Sequence, residues 1–150
     1  MYCTDSRASS LYGNRLSKFR TQVKNTLIGV PIDDIIETSN HFVAFDYLLD
    51  TIDEPLSGKL IKEFHRILKT GTADAAKAWF NVGDWKKYPN EVGGIQTVMP
   101  DNVDAEIANL NDKYYSIVCV TFEDIIEYHY CFERIHPFQD GNGRVADNVS

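Results

Sequence analysis

The nine residues His136-Pro137-Phe138-Gln139-Asp140-Gly141-Asn142-Gly143-Arg144 decide how this 150-residue chain is read. Two glycines around Asn142 allow backbone conformations in which successive N–H groups converge as an anion nest, reinforced where a helix begins just after them. Asp140 offers a hard oxygen ligand for a magnesium ion bridging phosphates, and Arg144 a planar cation for phosphate oxygens. His136 is a base whose unperturbed pKa lies near neutrality. Base, metal ligand, nest and cation therefore stand within one short loop, and the apolar Phe138 between them is expected to be buried as its anchor.

Two commoner uses of such a run fail. Asp-Gly and Asn-Gly are strong hairpin-turn signals, but they need alternating strand residues on both sides, and a helical pattern precedes these. A calcium-binding EF-hand loop wants ligands at its odd positions and glycine at the sixth. Counted from Asp140, the fifth position is Arg144 and the sixth is Val145.

Upstream, Phe122, Ile125, Ile126, His129, Phe132 and Ile135 recur at helical spacing, behind Thr121-Phe122-Glu123-Asp124, which has the form of a capping box. This helix delivers the chain to His136. With no second ligand pair at zinc spacing, His129 is expected to be a satisfied core histidine rather than a metal ligand, as are His41 and His65. Ile107, Leu110 and Tyr114 mark an amphipathic stretch after Pro100-Asp101-Asn102-Val103-Asp104. From Val82 to Met99 the pattern changes: Gly83, Pro89, Gly93 and Gly94 interrupt aromatic and β-branched residues, and Ile95-Gln96-Thr97-Val98 alternates. A β-hairpin or flap is predicted there, with Lys86 and Lys87 as solvated lysines. Leu56, Leu60, Ile61, Phe64, Ile67 and Leu68 share one face of a helix with Pro55 in its first turn and Gly71 at its end. Before it, Phe42, Phe45, Leu48, Leu49 and Ile52 form a helix capped by Ser39 and ending at Asp53-Glu54-Pro55. Leu16, Phe19, Val23 and Leu27 fit a further helix closed by Gly29 and Pro31. The fold class is mainly α.

Composition sets the outer limits. With 43% apolar residues the chain supports one core and one domain. No apolar run approaches the roughly 20 residues of a membrane span, and Met1-Tyr2-Cys3-Thr4-Asp5-Ser6-Arg7 lacks the character of a secretory signal, so a soluble cytoplasmic protein with no membrane partner is expected. Cys3, Cys119 and Cys131 are odd in number and far apart, which suits reduced thiols. A net charge of −7 gives no basic field for a phosphate backbone, which argues against nucleic acid as a partner.

The loop reproduces without mismatch the pattern HPFx(D/E)GNGR and so resembles the Fic family. The likeness extends to Asn40-His41-Phe42-Val43-Ala44-Phe45-Asp46-Tyr47, to Ile61-Lys62-Glu63-Phe64-His65-Arg66-Ile67-Leu68, to Val82 through Gly94 and to Glu123-Asp124-Ile125-Ile126. The resemblance implies a helical Fic fold over residues 39–150, with the His loop between two helices and a β-hairpin flap over it. It implies protein adenylylation: His136 takes a proton from a target Ser, Thr or Tyr hydroxyl, which attacks the α-phosphate of ATP. Asp140 would hold Mg2+, Gly141, Asn142 and Gly143 would cradle phosphate, and Arg144 would steady the charge. Lys87, Tyr88, Pro89, Asn90, Glu91 and Val92 match the flap segment that aligns a target peptide by strand pairing.

The sequence also departs from the family. A second arginine follows the first by three residues in the extended motif and binds the terminal phosphates; here Asp147 stands in its place. Ala8-Ser9-Ser10-Leu11-Tyr12-Gly13-Asn14 resembles an inhibitory (S/T)xxxE(G/N) segment in which Ala8 and Tyr12 replace the two defining residues, making residues 1–38 a segment with a degenerate inhibitory helix. Ser150 lies six residues beyond Arg144, so the helix after the nest is expected to be too short and too polar to hold by itself, and the domain reads as truncated after its motif. These departures keep a second reading open, an inactive or truncated Fic-like domain that binds nucleotide or a partner without catalysis. Transfer of another phosphate-containing group is a third.

Overall fold

The computed structural model describes residues 31–150; the expected N-terminal helix and the segment from Ala8 to Asn14 lie outside them. Five α-helices, a two-stranded hairpin and two short 3-10 turns make up the described part, a mainly helical fold as expected.

The first helix, α1, spans Ile32–Asp50. Ser39 is not its cap: the helix starts after Pro31, whose fixed φ and extended ψ of 139° launch it, with Asp33 and Asp34 favourably placed in its first turn. Its inward side also differs from the expected one. Ala44 is buried and Tyr47 and Leu48 pack on the core, whereas Phe45, Leu49 and Ile52 stay exposed. Asn40 accounts for this rotation, because its Nδ2 donates to the carbonyls of Leu68 and Thr70 at 3.0 and 2.8 Å and satisfies the otherwise orphaned end of the next helix. His41 accordingly faces out rather than into the core.

That next helix, α2, spans Gly58–Lys69 and is the centre of the fold. Ser57 rather than Pro55 begins it, its hydroxyl accepting the Leu60 N–H at 3.3 Å. Leu60, Ile61, Phe64, Ile67 and Leu68 are buried as their spacing predicts, and His65 and Lys69 are buried with them. The chain leaves through Gly71 at φ 78°, a left-handed conformation that suits glycine.

The predicted hairpin is present: β1 (Glu91–Val92) pairs antiparallel with β2 (Ile95–Gln96), Val92 opposite Ile95. Gly93 and Gly94, at φ 59° and 79°, supply the two positive φ values of a type I′ turn. Helix α3 (Val103–Tyr115) follows and places Val103, Ile107 and Leu110 in the core.

Helix α4 spans Phe122–Ile135 and carries the predicted capping box in full: the Asp124 N–H donates to Thr121 Oγ1 at 3.3 Å and the Thr121 N–H to Asp124 Oδ2 at 2.8 Å. Its buried stripe is Tyr128, Phe132 and Ile135; Phe122, Ile125 and Ile126 are exposed. Tyr128 sets this face, meeting Tyr114 edge-on at 5.3 Å and donating its hydroxyl to Asn111 Oδ1 at 2.9 Å. His129 is half-buried beside the Ser150 hydroxyl, at 3.3 Å, and is not a core residue. Helix α5, Asn142–Val149, forms despite its length. Val145 and Ala146 are fully buried, and packing against α2 and α4 provides what a short helix cannot supply from its own hydrogen bonds. Among the described residues no helix is long and apolar enough to cross a membrane.

Candidate active site

The loop between α4 and α5 is built on one unusual backbone residue. His136 is the C-cap of α4, at φ 51° and ψ 63°, and is the one non-glycine among the described residues with positive φ. The conformation is unfavourable for a residue with a Cβ and persists only where its surroundings enforce it. Phe138 does part of this: it is fully buried, stacked on His65 with ring centroids 4.0 Å apart, and tilted against Trp85 at 5.3 Å. Asn142 adds to it from inside the loop. Its Oδ1 accepts the Phe138 N–H at 2.7 Å and its Nδ2 donates to the Phe138 carbonyl at 2.9 Å, so both ends of its amide hold the turn. Gly141, at φ 84°, reverses the chain into α5, whose first N–H groups lack intrahelical partners.

Polar residues outside the loop add to its support. His65 accepts the Gly83 N–H at Nδ1, 3.0 Å away, and donates from Nε2 to the Asp140 carbonyl at 3.1 Å. Burial pushes its pKa down to about 4, so it works as a neutral, two-ended spacer; of the three histidines expected in the core, it alone is there. Gln139 Oε1 accepts the N–H groups of Lys87 and Tyr88, each at 3.2 Å, while Asn90 Nδ2 donates to the Phe138 carbonyl at 3.0 Å. The base of the flap is thereby fastened to the loop. Glu91 and Val92 at its tip are exposed. Lys86, expected in solvent, is buried instead, because its three ammonium protons all find acceptors within the fold.

The charged residues form a separate system. Lys69, only 1% exposed, pairs with the Asp140 carboxylate and donates to Glu37 Oε1 at 2.9 Å. Glu37 Oε2 pairs in turn with Arg144. Burial by itself would raise the Asp140 and Glu37 pKa values, but the hydrogen bonds and charges of Lys69, with Arg144, outweigh it and hold both carboxylates below their usual range. Glu37 and Lys69 were missed in the sequence reading. Lys69 stands four residues after His65 on an apolar stripe, a position at which a charge signals a buried ion pair; Glu37 lay ahead of the expected helix start.

His136 is half-buried, and desolvation lowers its pKa against the opposing pull of Glu133, so the ring is neutral at physiological pH. Its Nδ1 lies 3.6 Å from Glu133 Oε2, beyond hydrogen-bonding range, and neither Nδ1 nor Glu133 Oε1 has a hydrogen-bond partner among the described residues. A neutral imidazole and a left-handed glycine opening a helix thus stand a few residues apart, with Asp140 between them. No group of three or more His, Cys, Asp or Glu suited to a metal occurs among the described residues. Asp140 alone still suits magnesium, which is usually held by one or two carboxylates and the oxygens of a bound phosphate. Its side chain is about half exposed, 53%, and so open to such a ligand.

Comparison with known proteins gives this arrangement its class. The profile of the Fic/DOC family matches residues 55–147. Among solved structures, a Fic domain containing signalling protein from Bacteroides thetaiotaomicron superposes with a TM-score of 0.73 at 27% identity, covering 89% of this chain and 53% of that one. A Fic family protein from Desulfovibrio desulfuricans gives 0.70 at 22% identity, over 95% of this chain and 44% of that one. Fic-1 from C. elegans gives 0.67 at 21% identity, over 87% and 40%. This chain spans about half the length of these proteins or less, and no curated protein matches it significantly. The chain belongs to the Fic/DOC family.

Proposed function

We propose that the chain transfers AMP from ATP to a hydroxyl of a target protein, in the cytoplasm. The observation that carries the reading is the loop from His136 to Arg144, complete in every position of the motif and bent so that a neutral imidazole precedes the N-terminus of α5. His136 accepts the proton of a Ser, Thr or Tyr hydroxyl as that oxygen bonds to the α-phosphorus, and the bond to the leaving oxygen breaks to release pyrophosphate. Gly141, Asn142 and Gly143 meet phosphate through backbone N–H groups, since the Asn142 side chain is occupied. Asp140 would hold Mg2+, which supplies neutralising charge to the polyphosphate when bound. Arg144 steadies the charge developing on the phosphate oxygens once it exchanges Glu37 for substrate. The flap from Lys87 to Val92 offers backbone to an extended target segment, as strand addition does elsewhere.

A second reading, an inactive Fic-like domain that binds nucleotide or a partner without transfer, is favoured by one observation: Asp147 puts a carboxylate where the extended family motif carries a phosphate-binding arginine. The two separate cleanly. α-Labelled ATP, magnesium and a cell lysate should give a labelled protein band that His136→Ala abolishes; equal labelling with both proteins removes the first reading. Calorimetric ATP binding with no labelling by either protein supports the second.

A further inference from the structure

Lys86 is buried to 3% exposure and forms no ion pair among the described residues, an unusual state for an ammonium group. Its bonding is specific. The backbone N–H donates to the Pro137 carbonyl at 2.8 Å, and Nζ donates to the Ile135 carbonyl at 3.2 Å. One residue therefore holds the two peptide carbonyls that flank His136, the position with the left-handed backbone. The other two ammonium protons go to Asn90 Oδ1 and Thr97 Oγ1, both at 2.7 Å. Asn90 lies just before β1 and Thr97 just after β2, so Lys86 also closes the base of the hairpin. Asn90 continues the connection by donating to the Phe138 carbonyl at 3.0 Å.

We propose that Lys86 is a positioning residue for His136: it enforces the left-handed turn that aims the imidazole and ties that turn to the base of the flap, so that base and target-aligning strands keep one geometry. The inference rests on the transfer reading above only for its effect on rate. No neutral side chain of similar length reproduces the set of contacts, since a methionine removes all three donors and an amide has too few and is too short. A lysine also brings charge without a counter-ion. Desolvation drives its pKa down to about 8, and its positive field is one of the influences lowering that of His136. The charged groups acting on the imidazole are Glu133 on α4, Asp140 in the loop and Lys86; Glu133 and Asp140 oppose the depression.

The test uses Lys86→Met and Lys86→Cys, the latter before and after alkylation to the thioether analogue of lysine, with thermal unfolding to select folded protein. NMR titration of the His136 ring, assigned with His136→Ala, reads positioning without any need for activity. Lys86→Met should raise the His136 midpoint and broaden or double its ring signals, and alkylation of Lys86→Cys should restore both. Where the wild type labels a target, Lys86→Met should lower kcat by about tenfold or more, as expected from a misplaced base, with KM for ATP nearly unchanged. A folded Lys86→Met protein whose His136 midpoint and signals match wild type overturns the proposal. Absence of labelling by the wild type overturns the transfer reading alone and leaves the titration to decide the role of Lys86.

Discussion

Asn142 gives the most discriminating test of how the loop is held. Its side chain is 2% exposed and makes two bonds to one residue, accepting from the Phe138 N–H and donating to the Phe138 carbonyl. In Asn142→Ala the carbonyl keeps a donor, Asn90 Nδ2 at 3.0 Å, whereas the buried N–H has no other acceptor among its hydrogen bonds. The loss is therefore one orphaned donor plus a small cavity, about 2 kcal/mol in total. Asn142→Asp separates geometry from charge. The introduced carboxylate still accepts from the N–H, but its second oxygen replaces a donor and faces the Phe138 carbonyl, adding repulsion in a buried place. Its deficit at neutral pH should exceed that of Asn142→Ala by about 1 kcal/mol or more. The sign with pH follows. Burial raises the introduced group's pKa above its unfolded value near 3.9, so its penalty is greatest at neutral pH and shrinks as pH falls toward 4, where the protonated acid donates as the amide did. Urea unfolding at pH 7 and pH 4.5, with m-values required to match wild type, reads all three quantities. If Asn142→Ala costs under about 0.5 kcal/mol, or if the Asn142→Asp deficit grows on acidification, the two-point clamp is not what fixes the turn.

The ion pairs give further expectations. Lys69→Met strands Glu37 and Asp140, and because Asp140 is half exposed the cost should be about 2 kcal/mol by urea unfolding rather than the larger penalty of a fully buried pair. Both carboxylates have lowered pKa values in the folded state, so their contribution is present above about pH 4.5 and lost below it; the gap between Lys69→Met and wild type should narrow in acid. Glu37→Gln removes the carboxylate that engages Arg144 and should tighten ATP binding by about fivefold or more in calorimetry, with unchanged affinity refuting competition between Glu37 and phosphate. Because desolvation lowers the His136 pKa, the rate of labelling should rise with pH along a limb centred below 6.5; a limb centred above 6.5 contradicts the lowered pKa.

What could be read in advance follows the range of the forces involved. The Thr121 capping box, the Gly93-Gly94 turn, the apolar face of α2 and the burial of Phe138 are local or periodic features, and the sequence carries them directly. The rotation of α1 was not legible, because it is set by Asn40 capping Leu68 and Thr70 across a tertiary contact, and Phe45 and Leu49 look as apolar as Tyr47 and Leu48. The same holds for α5. Its polarity suggested instability, yet Asn142 and Asn148 are polar residues whose side chains bond within the loop and helix, to Phe138 and to the Arg144 carbonyl, leaving Val145 and Ala146 to face α2 and α4. Lys86 was misread because composition places lysines in water, and only the packed fold reveals three acceptors around one ammonium.

The site thus divides by the kind of bond that holds it. The shape of the loop depends on neutral partners, Asn142, Gln139, Asn90 and a histidine kept uncharged, whose bonds need not change when a charged substrate arrives. The side chains that would meet substrate, Asp140 and Arg144, are held chiefly by other charges, Lys69 and Glu37. Ion pairs at partly exposed positions contribute little net stability, because solvent and incoming ions compete for both partners. An approaching polyphosphate can therefore displace Glu37 from Arg144, and a cation can share Asp140 with Lys69, without unfolding the turn that aims His136. Lys86 is the exception, a charge within the neutral framework, and that is why its removal should disturb the aim of the base while leaving the binding of ATP largely intact.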